Sequence, residues 1–469
     1  MRDKAGSIAY RPLGFTLAVA SLALLFGLNF GSIFAYKNQL MYVFLLNSYD
    51  IDSVVKVILL GAVVGAMCGG SICKGSGRKS GIISGAVIGI AADCSAELAT
   101  DFSVLLLSEL TMGTGLGIYM VSALLYASEI SLPSSRGMGC CMPAVGLCLG
   151  LLFTIAMRIA LPLSPVISCL FIAVTGGAVC LFVALKLPES PRWLVLCGYS
   201  DAALTSLFIL RRNQAAAARE MAFISDVASN AERGMRAYLH SSYSRRALFA
   251  LFVLIALMNL AGFTFAPYMS LELIHRYQMK YLGIFVMRNY DYNYGFIKAA
   301  VAVAFFGAVT AMMASDRAGR PRLILVASLI GLISLGFLCA ATISGQDDLN
   351  VLVISALMLI YIYAAVLCTV TFICVFVSEI LPSGGRDTGL TLILTVHIIF
   401  FIAALQDVRV MSPGFNLGLC FTVSFICCGF LCFILAFRIP DPGIGSLERN
   451  ETRLLEGKIF TRPRSGISN

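Results

Sequence analysis

Four charged residues recur at a fixed spacing. Ser128-Glu129-Ile130 is followed by Leu132-Pro133-Ser134, Arg136 and Gly139, and Ser378-Glu379-Ile380 by Leu381-Pro382-Ser383, Arg386 and Gly389. Each Glu stands seven residues before its Arg, and the two copies are 250 residues apart. Upstream, Gly77-Arg78-Lys79 is echoed by Gly319-Arg320-Pro321, with an offset of 242 between the arginines. Carboxylates and guanidiniums repeated in this way suit ion pairing rather than bond-making. Opposite charges gathered on one face hold two halves of a molecule together and must separate when a cavity opens there. Such a clamp biases a two-state equilibrium by about a few kcal/mol at most.

The residues that would make an enzyme are missing. There are three histidines and no His-Glu-x-x-His spacing, which argues against a metalloenzyme. The sixteen cysteines sit mostly inside apolar runs. Cys140-Cys141 and Cys427-Cys428 are adjacent, a poor geometry for a metal, so the cysteines read as small buried apolar residues. The glycine-rich pieces 75–77 and 113–117 follow no strand, as a nucleotide-binding turn would require, and read as packing and loop glycines. No cofactor and no metal are expected.

These charges need elements to hold them. The chain has 469 residues, of which 59% are hydrophobic and only 13% charged, with a mean hydropathy of +0.89. Soluble domains carry roughly 25% charged residues, so the polar remainder is too thin to coat a soluble protein. A helix needs about 20 apolar residues to span a bilayer, and runs of that length recur throughout. Helices are expected near 12–36, 53–73, 81–100, 103–127, 139–162, 165–186, 246–271, 296–315, 322–343, 350–378, 388–404 and 414–437. The first is too long for a signal-peptide core and is read as a span. With the N-terminus inside, 26 of the 34 Lys and Arg fall on cytoplasmic segments or, for Lys186, Arg246 and Arg322, at the inner ends of the adjoining spans, as membrane orientation favours. The net charge of +9 is therefore a topology signal and an affinity for anionic lipid, not a sign of nucleic-acid binding.

The expected fold class is an all-α membrane protein, with twelve transmembrane helices in two pseudo-symmetric six-helix bundles. The boundaries expected are 1–187 for the first bundle, 188–245 for a cytosolic helical linker, 246–437 for the second bundle and 438–469 for a cytosolic tail. The linker carries helix formers and many arginines. The sequon Asn450-Glu451-Thr452 falls in the cytosol on this topology and is discounted. Duplicated halves with a substrate site between them near the bilayer midplane are a transporter architecture. Both termini are expected in the cytoplasm, and the plasma membrane is the default.

Pro188-Glu189-Ser190-Pro191-Arg192-Trp193-Leu194 contains the only Trp of the chain. This segment resembles the PESPRWL motif of the sugar porter family in the major facilitator superfamily, which includes facilitative glucose transporters and proton–sugar symporters. Tyr126, Glu129, Arg136 and Gly137 fit that family's pattern after helix 4. Asp316-Arg317-Ala318-Gly319-Arg320 fits its 8–9 loop, and Glu379 with Arg386 its pattern after helix 10. The resemblance implies the major facilitator fold, alternating access and a gate on the inner face built from Arg78, Lys79, Glu129, Arg136, Glu189, Arg192, Asp316, Arg320, Glu379 and Arg386. The 2–3 loop departs from the pattern, because Lys74 stands where the family carries Asp.

The site implied by the resemblance has diverged more. Family amides that offer sugar hydroxyls both donors and acceptors align with Ala144, Ala304 and Val396. The helix 10 segment runs from Thr369 to Cys374 without the family Trp. Asn29, Asn259, Thr264, Tyr268 and His397 remain as polar candidates for contacting a sugar or related solute. Phe26-Gly27-Leu28-Asn29 fits the family's helix 1 pattern, in which proton-coupled members carry Asp at the position of Asn29. The arginine that would pair with it aligns with Glu109. Asn29 cannot titrate, so facilitated diffusion of a hexose or similar small polyol is the expectation. The alternatives are proton symport through Glu109, transport of another small organic solute, or a nutrient sensor that no longer transports. Asp93 and Glu97, near the outer end of helix 3, read as solvated.

Overall fold

The computed structural model describes residues 2–35, 37–46, 48–160, 186–229, 232–264, 290–343, 351–410 and 417–438, with isolated positions at 175–182, 266, 270 and 447. The described chain is helical. Its first half comprises α1 (Arg2–Ala35), α2 (Lys37–Val43), α3 (Ser48–Ser76), α4 (Arg78–Glu97), α5 (Phe102–Ile130) and α6 (Arg136–Ala160). A polar connection follows, with α7 (Pro191–Leu196), α8 (Ser200–Arg211), α9 (Gln214–Ser229) and α10 (Arg236–Leu239). The second half comprises α11 (Ser242–Leu260), α12 (Tyr290–Ala318), α13 (Arg320–Ile343), α14 (Val351–Val370), α15 (Arg386–Val410) and α16 (Leu417–Arg438).

Ten helical segments among the described residues are long and apolar enough to cross a membrane. They lie in α1, α3, α5, α6, α11, α12, α13, α14, α15 and α16. The expected third span is present as the 20-residue α4, which carries charge at both ends. The expected sixth span, 165–186, falls mostly outside the described residues. Large apolar side chains such as Leu60, Val64, Phe306, Phe337, Phe430 and Phe437 are exposed, as lipid-facing residues are. The molecule is a multi-pass membrane protein.

Without a hydrophobic drive between helices in lipid, close packing relies on small residues. The run Gly61, Gly65 and Gly69 gives α3 such a face. A Cβ on Gly61 or Gly65 would sit 2.1 Å from the carbonyl oxygen of Leu110 or Thr114 on α5. Gly113 and Gly117 answer from α5 against Ile58 and Ala62. Their place in the packing is the one expected from the sequence.

One span departs from expectation. The sequence predicts a continuous helix over 246–271, but α11 ends at Leu260 and a turn follows over 261–264. Gly262 adopts a φ of +82°, which ends the helix. Backbone freed inside a membrane needs partners within the protein. The Tyr361 hydroxyl supplies one, donating to the Ala261 carbonyl at 2.6 Å. Its counterpart in the first half is Tyr119, which donates to the Val19 carbonyl at 2.6 Å. Phe26 lies against Tyr119 at 5.1 Å between ring centroids, and Phe263 against Tyr361 at 5.9 Å. The duplication therefore extends into the packing.

Candidate functional site

The repeated charges converge on the face that carries α7–α10, here termed the linker face. In the first half, Arg78 opens α4 and Glu129 lies in the last turn of α5. Arg78 Nε and Nη2 donate to Glu129 Oε2 and Oε1, both at 2.9 Å. Each residue is about 1% exposed. The planar guanidinium matches the carboxylate in the two-pronged geometry that makes such pairs strong. Arg78 Nη1 also donates to the Cys73 carbonyl at 3.0 Å. Ser190 Oγ donates to Glu129 Oε2, and Arg192 Nη1 to the Glu129 carbonyl.

Glu189 binds this pair through backbone. Its carboxylate accepts from the N–H groups of Arg78 at 3.1 Å, Lys79 at 3.2 Å and Ser190 at 2.8 Å. It thereby serves the start of α4, whose first N–H groups have no partner within the helix. Gly77 makes this approach possible. Its φ is +97°, and a Cβ there would sit 2.3 Å from Glu189 Oε2. Burial pushes the Glu189 carboxyl above its ordinary range, while these N–H groups and the Arg78 charge pull it back. Trp193 Nε1 donates to the Lys74 carbonyl at 3.1 Å. Tyr126 donates to the Pro188 carbonyl at 2.9 Å.

In the second half, Arg320 opens α13 and Glu379 lies in the short turn of helix Ser378–Ile380 after α14. Arg320 Nη2 reaches Glu379 Oε1 at 3.0 Å and Asp316 Oδ1 at 3.1 Å. This cluster crosses to the other half. Arg136 Nη1 lies 3.6 Å from Glu379 Oε1. Asp316 accepts from the N–H groups of Gly137 and Met138 at 2.8 Å each, capping the start of α6. Arg386 donates to the Leu381 carbonyl at 3.2 Å and lies within electrostatic reach of Glu129. All ten residues expected at this face are therefore gathered there, Lys79 through its backbone N–H. Arg211, which grips Glu220 at 2.8 and 3.0 Å and the Ile130 carbonyl at 3.1 Å, was not expected. Nor was Ser190.

The halves meet along two lines, α6 with α12 and α3 with α15. At the linker face, Gly70 of α3 lies so close to α15 that a Cβ would sit 2.2 Å from Thr391 Oγ1. Gly137 is pressed equally closely against Ser315. Toward the other face, Val55 and Leu59 of α3 pack with Phe401, Ile402 and Leu405 of α15 and with Phe30. The linker face is shut.

Among the described residues, the candidate solute contacts between the halves are sparse. Asn259 is buried, donates to the Ile255 carbonyl at 2.6 Å and accepts from Thr264 Oγ1. The two residues flank the break after α11 and satisfy each other. His397, half-buried on α15, has no hydrogen-bond partner at Nδ1 among the described residues. The buried hydroxyls of Thr369 and Thr395, which are not among the polar candidates expected from the sequence, also have no partner among the described residues. Ala144, Ala304 and Val396 are half-buried and pack against the core shared by both halves. The segment without the family Trp is π-helical over Thr371–Val377 and fully buried. Such stretches within α-helices are frequent at functional positions. Tyr268 lies outside the described residues.

Asn29 does not stand alone. Its amide donates to Asp93 Oδ1 across α1 and α4. Asp93 is about 5% exposed, which corrects the expectation that it is solvated. Proximity to a helix end suggested water, but α4 packs between α1 and α5 and turns that face inward. Glu109 on α5 is equally buried, interacts electrostatically with Asp93 and has no partner at Oε2 among the described residues. Ser95 donates to Ser108 at 2.9 Å beside them. The side chain of Glu97 lies outside those described.

The sequence profile described as "Sugar (and other) transporter" matches residues 15–452. The galactose–proton symporter of Escherichia coli K12 is 26% identical over 451 residues, covering 95% of each chain. The arabinose–proton symporter of the same strain is 25% identical over 460 residues, covering 94% of this chain and 93% of its own. Among solved structures, the proton:xylose symporter XylE bound to 6-bromo-6-deoxy-D-glucose superposes with a TM-score of 0.77. Its identity is 18%, over 94% of this chain and 98% of that one. The fold is that of the major facilitator superfamily, and the chain belongs to the sugar (and other) transporter family.

Proposed function

We propose that this member of the sugar transporter family carries a hexose or similar small polyol across a membrane by alternating access. The carrying observation is the linker-face cluster. Asp316 of the second half caps α6 of the first, and Arg136 of the first half faces Glu379 of the second. These bonds hold the halves together on one side and are the ones that must part for that side to open. On this reading the linker face is cytoplasmic, and the ten clustered residues are its gate. The division at 187, 245 and 437 marks the two moving bundles and the linker.

The solute would lie between the halves, near the break after α11, with Asn259, Thr264, Tyr268 and His397 offering polar contacts. Thr369 and Thr395 join them, because their hydroxyls are buried and have no partner among the described residues. Each hydrogen bond contributes about 0.5–1.5 kcal/mol net. A site with so few of them binds a sugar weakly, or binds one with fewer hydroxyls.

Asn29 alone supports facilitated diffusion, since it cannot titrate. A second reading, proton symport, is favoured by the buried carboxyl pair of Asp93 and Glu109 beside Asn29. Ionisable groups inside a membrane protein are costly and mark proton paths. The symporter names of the full-length relatives support the same reading. Asn29 would here position Asp93, and Glu109 would take and release the proton.

Uptake of labelled glucose and galactose into proteoliposomes, with and without an imposed pH gradient, tests both readings. Saturable uptake that follows the gradient, and a Glu109→Gln variant that keeps exchange but ignores the gradient, support symport. Saturable uptake indifferent to the gradient supports facilitated diffusion. No sugar uptake by folded protein sinks the sugar reading and leaves another solute or a sensor.

A further inference from the structure

A cavity of about 640 Å³ opens at the linker face, lined by Lys74, Glu232, Arg233, Met235, Arg236 and His240. Ligand pockets range over about 300–1,000 Å³. The walls of this one come from both halves. Lys74 stands in the last turn of α3. The 232–240 segment is fastened to the second half, where Gly234 N–H donates to the Gly384 carbonyl at 2.7 Å and the Tyr238 hydroxyl to the Gly385 carbonyl at 2.8 Å. Lys74 reaches across the seam. A Cβ placed on Gly234 would sit 3.1 Å from Lys74 Nζ and 3.7 Å from Thr388 Oγ1 of α15.

The charge in this cavity is unbalanced. Lys74, Arg233 and Arg236 bring three cations. The one lining carboxylate, Glu232, is engaged by His240 Nδ1 at 2.6 Å. Cations held together by fold geometry attract an anion, and clusters beside a membrane surface attract phosphorylated headgroups. The side chains are exposed, so an anion can enter without displacing protein.

We propose that this cavity binds a phosphoryl group, either on a lipid headgroup or free in solution, and that the bound anion holds the linker face shut. Lys74 contributes from the first half, and Arg233 with Arg236 from the segment fixed to the second. A ligand gripped by both halves binds best when they are together, and by linkage it disfavours their separation to the same extent. The gating part rests on the alternating-access reading above; the binding part does not.

Binding is tested on the full chain in detergent by following the thermal unfolding midpoint. The probes are inorganic phosphate and a short-chain phosphatidic acid, against chloride at matched ionic strength. One or both phosphoryl probes should raise the midpoint where chloride does not. An Arg233→Gln/Arg236→Gln variant should need about tenfold more anion for the same shift, and Lys74→Gln provides a second variant. A response to phosphate assigns a soluble ligand, and a response to phosphatidic acid alone assigns a lipid. Sugar counterflow in phosphatidylcholine vesicles should slow when the effective probe is added to the wild type and not to the double variant. Equal shifts in wild type and variants, or a shift reproduced by chloride, would overturn the site. Binding without slowing would overturn the gating role alone. Because the midpoint is read without sugar, a failed site is distinguishable from a failed transport reading.

Discussion

In the first half, Glu129 takes its strong bonds from its own side: two from Arg78, one from Ser190, with Arg192 on its carbonyl. In the second half, the repeat-related Glu379 takes a single bond from Arg320, leaves Oε2 without a partner among the described residues and faces Arg136 of the other half. Asp316 spends its carboxylate on the start of α6, also across the seam. The same residue types at the same spacing thus form a lock within one half and a latch between the two. What decides is saturation. The linker segment 188–193 closes over Glu129 and completes its bonding, while nothing equivalent among the described residues completes Glu379.

The largest expected effect comes from breaking the lock. Glu129→Gln leaves Arg78 as a buried charge without its counter-ion, and breaking such a pair costs about 3–5 kcal/mol. Thermal unfolding in detergent should show a large fall in the midpoint, and an Arg78→Gln/Glu129→Gln double variant should recover part of it. A single variant as stable as the wild type would end the distinction between the halves.

Glu379→Gln sharpens the comparison. Arg320 keeps Asp316 nearby, and Arg136, at 3.6 Å, stands beyond hydrogen-bond reach of Glu379, so the direct loss should be that of one charged hydrogen bond, about 1.5–3 kcal/mol. The midpoint should fall less than for Glu129→Gln. A loss as large would make the second cluster a lock as well.

The smallest effect on stability, and the most telling on state, belongs to Asp316→Ala. Removing a helix cap costs about 0.5–2 kcal/mol. Here the cap crosses the seam, so the cost should appear in the balance between shut and open rather than in unfolding. Cys140 and Cys374 are buried behind the latch. Their alkylation by an impermeant thiol reagent from the linker face should accelerate by about two- to thirtyfold, with the unfolding midpoint little changed. Unchanged alkylation would show that Asp316 does not hold the halves together.

Much of the linker-face cluster is legible in the sequence because it is written twice. Glu129 with Arg136 and Glu379 with Arg386 repeat at the same spacing, and acidic residues at paired positions need a reason beyond orientation in the membrane. The repeat in Tyr119 and Tyr361 is not legible in the sequence, because a single buried hydroxyl bonded to a carbonyl leaves no spacing signature. Nor is the helix break after Leu260. A Gly inside an apolar run is as common in continuous membrane helices as at breaks, and only its φ separates the two cases. The burial of Asp93 is hidden in the sequence because closeness to a helix end says nothing about which way that face turns.

The sequence by itself determined that this is a duplicated, membrane-embedded helical member of a transporter family. Hydropathy and repetition are properties of the chain read in order, and the bilayer demands the helices. Only the tertiary structure decided which charges meet. Arg78 and Glu129 are 51 residues apart, and Glu379 lies 59 from Arg320 and farther still from Arg136, so each carboxylate's partner was set by how helices from separate stretches of chain pack. The same packing drew Asn29, Asp93 and Glu109 together from three helices. Close contact between distant residues depends on shape and burial, which linear spacing does not carry.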